Sequence, residues 1–268
     1  MRELDDVIKE IDALALYLKT GAMLPGMSRI MYAIAREWDG QRVFLQDADA
    51  LIYPFPKLKE ALQHLNDKLP FVQRIASYAT PKDILIKGVD QLKELKELKL
   101  GILYVGIESG DDDILHHVKK GVDRSQMVEA GRIAKEAGIT LSLTVILGLG
   151  GVEGSEKHTL ETARILNKID PEYAGALTLT LVPGTPLHDE WKSGAFHPID
   201  PFQSLEELKL MVENLDVSNC FFSSMHASNY LPIRGRLPKD KEKLIRELEQ
   251  ALSKRNPSML RPEYLRGL

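Results

Sequence analysis

Five short segments of this chain combine side chains and backbone that can act on a bound small molecule. They are Asp47-Ala48-Asp49-Ala50, Ser77-Tyr78-Ala79, Glu108-Ser109-Gly110, Gly148-Leu149-Gly150-Gly151 and Pro183-Gly184-Thr185-Pro186. Small and polar residues at all five describe a wide, wet mouth with backbone close to a ligand. Glycine amides at a helix start attract anions. Each segment also has an ordinary reading, since Gly, Ser, Asp and Pro end strands everywhere. Ser109-Gly110-Asp111 precedes a helix and can cap it, and Asp111 to Asp113 complement a helix dipole. A sixth string, Met225-His226-Ala227-Ser228-Asn229-Tyr230, offers His226 and Asn229 to a substrate or forms a hydrogen-bonded loop.

These segments need a scaffold that brings them to one end. Each of the five follows a short apolar run: Val43 to Gln46, Arg74 to Tyr78, Ile102 to Ile107, Thr140 to Leu147 and Gly175 to Val182. The spacing leaves room for one helix between runs, the pattern of βα units whose parallel strands are buried on both faces. Such folds place ligands at the C-terminal strand ends. Thr80-Pro81 reads as an N-cap with proline at the first helical position, and Asp123/Gln126 and Ser204/Glu207 read as capping boxes. Met127, Ala130, Ala134 and Ala137 form an apolar helix face that Gly138 ends. Val7, Ile11, Leu14 and Leu18 form another, and helices are expected at 204–214 and 238–254 with a loop between them. Roughly the last dozen residues read as a tail, since termini fray unless docked. A closed eight-stranded barrel takes ~250 residues. Five strands cannot close one, so an α/β open partial barrel is expected over 1–200, with a helical extension over 201–268 packed on it.

Composition narrows the function classes. Lys plus Arg is 35 against 39 Asp plus Glu, a net charge of −4, so charge gives no indication of nucleic acid. Hydrophobic residues make up 44% of the 268, enough for a continuous core. The most apolar stretch, 139–151, is well short of the ~20 residues a bilayer span requires. With no leader pattern at its start, a cytoplasmic protein with no membrane partner is expected. The single cysteine, Cys220, excludes a cysteine zinc site or an iron–sulfur cluster held by several thiolates of this chain. None of the seven histidines pair at i, i+4, and no GxSxG elbow or Walker loop is present.

The runs VFLQDADAL, YVGIESGDDDILHHVKKG, TVILGLGG and LVPGTPLH occur in an order that resembles radical SAM enzymes, above all the group sharing its core with MiaB-type and Elp3-type proteins. The resemblance covers about residues 1 to 215 and is most specific from Glu108 to Gly121. It implies a six-stranded partial barrel, with five strands here, and S-adenosylmethionine (SAM) in its mouth. It also implies a [4Fe–4S] cluster that yields a 5′-deoxyadenosyl radical. In this resemblance Asp47, Ala48 and Asp49 receive the SAM amino group, and Glu108 and Ser109 meet the ribose hydroxyls. Ile146, Gly148 and Gly150 lie along the adenine, and Ser77 is a further contact. Where relatives have glycine this chain has Ala48, whose methyl group can crowd the methionine moiety. The family's C-x3-C-x2-C loop is not in this sequence, and MRELDDVIKEID resembles the helix that follows it. Either the cysteines lie ahead of Met1 in the native protein, or the lineage has lost them.

Three readings follow. One is a radical SAM enzyme if the cysteines lie upstream. Another is a non-catalytic scaffold for SAM, a nucleotide or a protein, with an open strand edge that could support oligomerisation. The third is an ordinary barrel enzyme whose Gly148 to Gly151 loop cradles a phosphate. The substrate, small or macromolecular, is not legible from the fold.

Overall fold

The structure, a computed structural model, describes residues 2–23, 28–46 and 49–267. Seven strands occur among them: β1 (Arg42–Leu45), β2 (Arg74–Ala79), β3 (Leu100–Glu108), β4 (Thr140–Leu147), β5 (Tyr173–Thr178), β6 (Cys220–Ser223) and β7 (Arg234–Leu237). They follow one another in sequence order across one unclosed sheet, as expected of an open partial barrel. β1 pairs with β2, β4 with β5 and β5 with β6 in parallel, while β7 returns antiparallel to β6. Helices α1 (Leu4–Thr20) and α2 (Arg29–Glu37) precede the strands, and α3 (Phe55–Lys68), α4 (Pro81–Glu97), α5 (Asp112–His117), α6 (Arg124–Glu136), α7 (Gly151–Ile169), α8 (Pro186–Ser193), α9 (Pro201–Asn214) and α10 (Lys241–Lys254) lie between and after them.

The chain divides into two units, Met1–Tyr104 with Ile133–Thr140, and Val105–Arg132 with Leu141–Leu268. In the second unit the alternation within β4 shows which way the sheet faces. Leu141, Leu143, Val145 and Leu147 are buried, while Ser142, Thr144 and Ile146 are half-exposed. Because side chains alternate along a strand, one face packs its apolar residues, each contributing about 2 kcal/mol, and the other is left partly open. The expectation of strands buried on both faces is corrected here. The residues of β5 and β6 in register with this open row, Gly175 and Ser223, are half-exposed too.

Helix ends follow local chemistry. Asp123 Oδ1 accepts from Gln126 N at 2.8 Å and Gln126 Oε1 accepts from Asp123 N at 3.0 Å, the expected capping box of α6. α9 is capped instead by Asp200 and Gln203, with Pro201 at the first helical position. Ser204 and Glu207 therefore lie inside that helix and are buried, which corrects their reading as a cap.

The C-terminal region holds β6 and β7 as well as the two expected helices. Its last described residues are docked rather than frayed. The Arg261 guanidinium donates to the backbone oxygens of His226, Ala227 and Asn229, and Arg266 donates to those of Ser228 and Leu179.

Candidate functional site

In the first unit, Asp47 and Ala48 lie outside the described residues. Asp49 Oδ1 accepts from Leu51 N at 2.9 Å and Oδ2 from Thr80 N at 3.1 Å, joining the turn after β1 to the start of α4. Burial and the neighbouring Asp83 carboxyl push Asp49 up. Burial pushes Asp83 up, but its hydrogen bonds with Asp49 and Thr80 and the nearby Lys87 and Lys82 charges together hold it below its usual range. Ser77 is buried and its hydroxyl donates to the Tyr78 carbonyl at 2.7 Å. Both candidates thus have structural partners within their own unit.

In the second unit, the exit of β3 turns sharply. Glu108 adopts φ +60°, a left-handed conformation unusual for a residue with a side chain. Its carboxylate folds back over Gly106, where an added Cβ would collide with Oε1. Lys120 Nζ donates to Glu108 Oε1 at 2.9 Å, and both side chains are about one-fifth exposed, 18% for Lys120 and 22% for Glu108. This leaves a half-buried, oriented carboxylate with acceptor capacity on Oε2.

Ser109, next in sequence, is fully buried. The His158 Nε2 atom lies 2.9 Å from the Ile146 carbonyl, which can only accept, so Nε2 carries the proton. His158 Nδ1 is therefore an acceptor, and Ser109 Oγ donates to it at 2.8 Å. Burial pushes His158 down to about 4, which keeps the ring neutral at pH 7. Ser109 Oγ also accepts from Asp111 N at 3.0 Å. This is the capping role rather than a hydroxyl facing a ligand.

The exit of β4 is a backbone turn. Gly148 takes φ +81°, and its N–H donates to Glu207 Oε2 at 2.7 Å. Ser155 Oγ donates to Glu207 Oε1 at 2.6 Å, and burial pushes this carboxyl up to about 7. Gly150 is the N-cap of α7, and a Cβ there would lie 2.9 Å from the Gly154 oxygen. Glycine in this loop thus has internal reasons, while Ile146, half-exposed on the open face, remains available to a flat ring. After β5, Asn229 is buried and clamped: it donates to the Ala176 and Ser224 carbonyls and accepts from Thr178 Oγ1. His226 is exposed and its Nδ1 lies 2.9 Å from Ser228 Oγ.

Glu108, Ile146, Gly148 and Gly150 lie at the exits of the consecutive strands β3 and β4 within one unit. The sequence profile of the radical SAM superfamily matches residues 28–163, half of the chain. The chain belongs to the radical SAM superfamily. An inferred methylthiotransferase of Methanocaldococcus jannaschii is 25% identical over 150 residues, covering 54% of this chain and 28% of that protein. An uncharacterized protein of the same organism is 31% identical over 167 residues, covering 62% of this chain and 47% of its own length. This radical SAM chain thus spans between about a quarter and a half of the relatives it matches. Two solved structures share the fold at 13% identity. Elp3 of Methanocaldococcus infernus has a TM-score of 0.56, covering 91% of this chain and 59% of that one. Coproporphyrinogen III oxidase of Escherichia coli, a radical SAM enzyme, has a TM-score of 0.55, covering 80% and 46%.

Superfamily membership implies SAM and a [4Fe–4S] cluster. The described residues do not suit the second. Cys220 is the one thiol; it lies fully buried in β6, and burial pushes it up to about 12. Among the described residues no group of three His, Cys, Asp or Glu converges as metal ligands, and a cluster needs several thiolates. No described helix is long and apolar enough to cross a membrane. Sequence reasoning missed Lys120, although it lies in the most specific segment. It also missed His158, whose partner Ser109 is 49 residues away.

Proposed function

We propose that this radical SAM protein binds S-adenosylmethionine through the exits of β3 and β4. The half-buried Glu108 carboxylate, held by Lys120 on Oε1, accepts from the two ribose hydroxyls. A carboxylate is suited to a diol, since charge-assisted bonds are stronger than neutral ones. Ile146 supplies an apolar wall for the adenine, and the turn from Gly148 to Gly150 brings backbone close to it. Bound SAM supplies an electrophilic sulfonium, and in this superfamily a source of the 5′-deoxyadenosyl radical. The observation that carries the proposal is the conformation of Glu108, a non-glycine residue held at φ +60° at a strand exit. Asp49, Ser77, Ser109 and Asn229 shape their turns and enter only in that way. Radical catalysis would need cluster ligands outside these residues, whose own donor set does not suit a cluster.

Isothermal titration with SAM tests the proposal. Saturable binding that Glu108→Gln weakens by roughly tenfold or more, the loss of one charge-assisted interaction, is expected. Absence of binding to the wild-type protein, or equal affinity in the variant, overturns it.

A further inference from the structure

One row of residues runs sideways across four strands of the second unit on the open face of the sheet. Thr144 of β4 is in register with Gly175 of β5, Gly175 with Ser223 of β6, and Ser223 with Arg234 of β7. Three inter-strand spacings of about 4.8 Å make the row about 14 Å wide, the scale of a small metabolite.

Glycine inside a strand weakens it and often marks the close approach of another group. Most strand glycines here have an internal cause. A Cβ at Gly106 would meet Glu108, one at Gly101 would meet Arg74, and one at Gly235 would lie 2.8 Å from the Asp240 side chain. Gly175 has no such cause: a Cβ there would lie 3.9 Å from the Leu143 and Ser223 carbonyl oxygens, in ordinary contact. It leaves a half-exposed gap between the Thr144 and Ser223 hydroxyls.

Charge completes the pattern. Arg234 is exposed, and among the described residues neither its guanidinium nor the Thr144 hydroxyl has a partner. Ser223 Oγ accepts from Met225 N, which leaves its proton to donate. No carboxylate occurs in the row. In the neighbouring row, by contrast, Arg236 is engaged, donating to Asn219 Oδ1 at 3.1 Å and lying 5.8 Å over the Phe221 ring.

We propose that the row Thr144–Gly175–Ser223–Arg234 is a binding site for a small molecule bearing an anionic oxygen group, a carboxylate or a phosphate. Arg234 takes the charge with its planar fork, the two hydroxyls donate, and Gly175 opens the floor. The site deepens the SAM reading by naming the class of second substrate. Its own evidence does not involve Glu108.

The test uses 15N-labelled full chain without any adenosyl compound, titrated separately with inorganic phosphate and with succinate at constant ionic strength. Saturable shifts of the Thr144, Gly175 and Ser223 amides are expected with at least one anion, and the one that acts identifies the source. Arg234→Gln should abolish the shifts, and Arg236→Gln, which removes the same charge one pair away, should leave them. Gly175→Val, which has room to fold, should also abolish them. The proposal is overturned if neither anion shifts these amides, if Arg234→Gln or a folded Gly175→Val keeps the shifts, or if Arg236→Gln loses them equally. Failure here would leave SAM titration intact, and failure of SAM titration would leave this result standing.

Discussion

Glu207 Oε2 accepts a 2.7 Å hydrogen bond from the Gly148 N–H, while its Oε1 accepts one of 2.6 Å from Ser155 Oγ. A single buried carboxyl on α9 therefore fixes the exit of β4, and its burial gives it a folded-state value of about 7 against an ordinary 4.5. A raised acid contributes stability that is fully present below pH 4.5 and lost as pH rises through 7. The span corresponds to a contribution on the order of 3 kcal/mol. Glu207→Gln keeps an oxygen for Gly148 and an amide for Ser155 but cannot titrate. The stability difference between variant and wild type should grow in the variant's favour from pH 4.5 to 7.5 in urea titrations. A constant difference across that range would contradict the assignment.

His158 works in the opposite direction. Its folded value of about 4 lies below the ordinary 6.5, so its contribution is present above pH 6.5 and lost as pH falls through 4. Glu207 and His158 thus oppose each other between pH 4.5 and 6.5. Ser109→Ala removes the donor to His158 Nδ1 and the acceptor for Asp111 N. Leaving both buried and unpaired should cost about 1–3 kcal/mol, with SAM affinity of the folded protein unchanged. A large loss of affinity with little loss of stability would instead return Ser109 to the ribose.

How much of this was legible depended on the distance over which each residue finds its partner. The alternating run Thr140–Leu147 marked β4 to the residue, because its period is local. β6 and β7 were missed although β1, equally short, was found, because no crossover helix separates them and β7 returns antiparallel to β6, outside the βα repeat. Asp200/Gln203 and Ser204/Glu207 both satisfy the capping pattern, and Pro201 at the helix start separates them. The structural role of Glu207 was not legible, since Gly148 is 59 residues away.

Arg266 donates to the Ser228 and Leu179 carbonyls and to the Tyr230 hydroxyl, and its guanidinium lies 4.3 Å from the Tyr230 ring centroid. Its side chain is only 6% exposed, so bonds to a charged donor should count for about 1.5–3 kcal/mol. Arg266→Ala should release residues 261–267 and expose the 226–230 loop to limited proteolysis, while the strand amides of β4 and β5 stay protected from exchange. Unchanged cleavage at the C-terminal end would show that the docking does not depend on this residue.

Gly106 separates stability from function at the β3 exit. An added methyl group meets the Glu108 carboxyl and lies 3.4 Å from Lys120 Nζ, both of them ends of flexible side chains. The fold can therefore accommodate Gly106→Ala by swinging Glu108 away, and β-sheet preference even favours alanine over glycine. Thermal stability should change by about 1 kcal/mol or less, whereas SAM affinity should fall as far as it does in Glu108→Gln. Combining the two substitutions should add nothing to the affinity loss, because both remove the same oriented carboxylate. Additive losses in the double variant would show that Gly106 contacts the ligand itself, and undiminished affinity in Gly106→Ala would show that the orientation of Glu108 is immaterial.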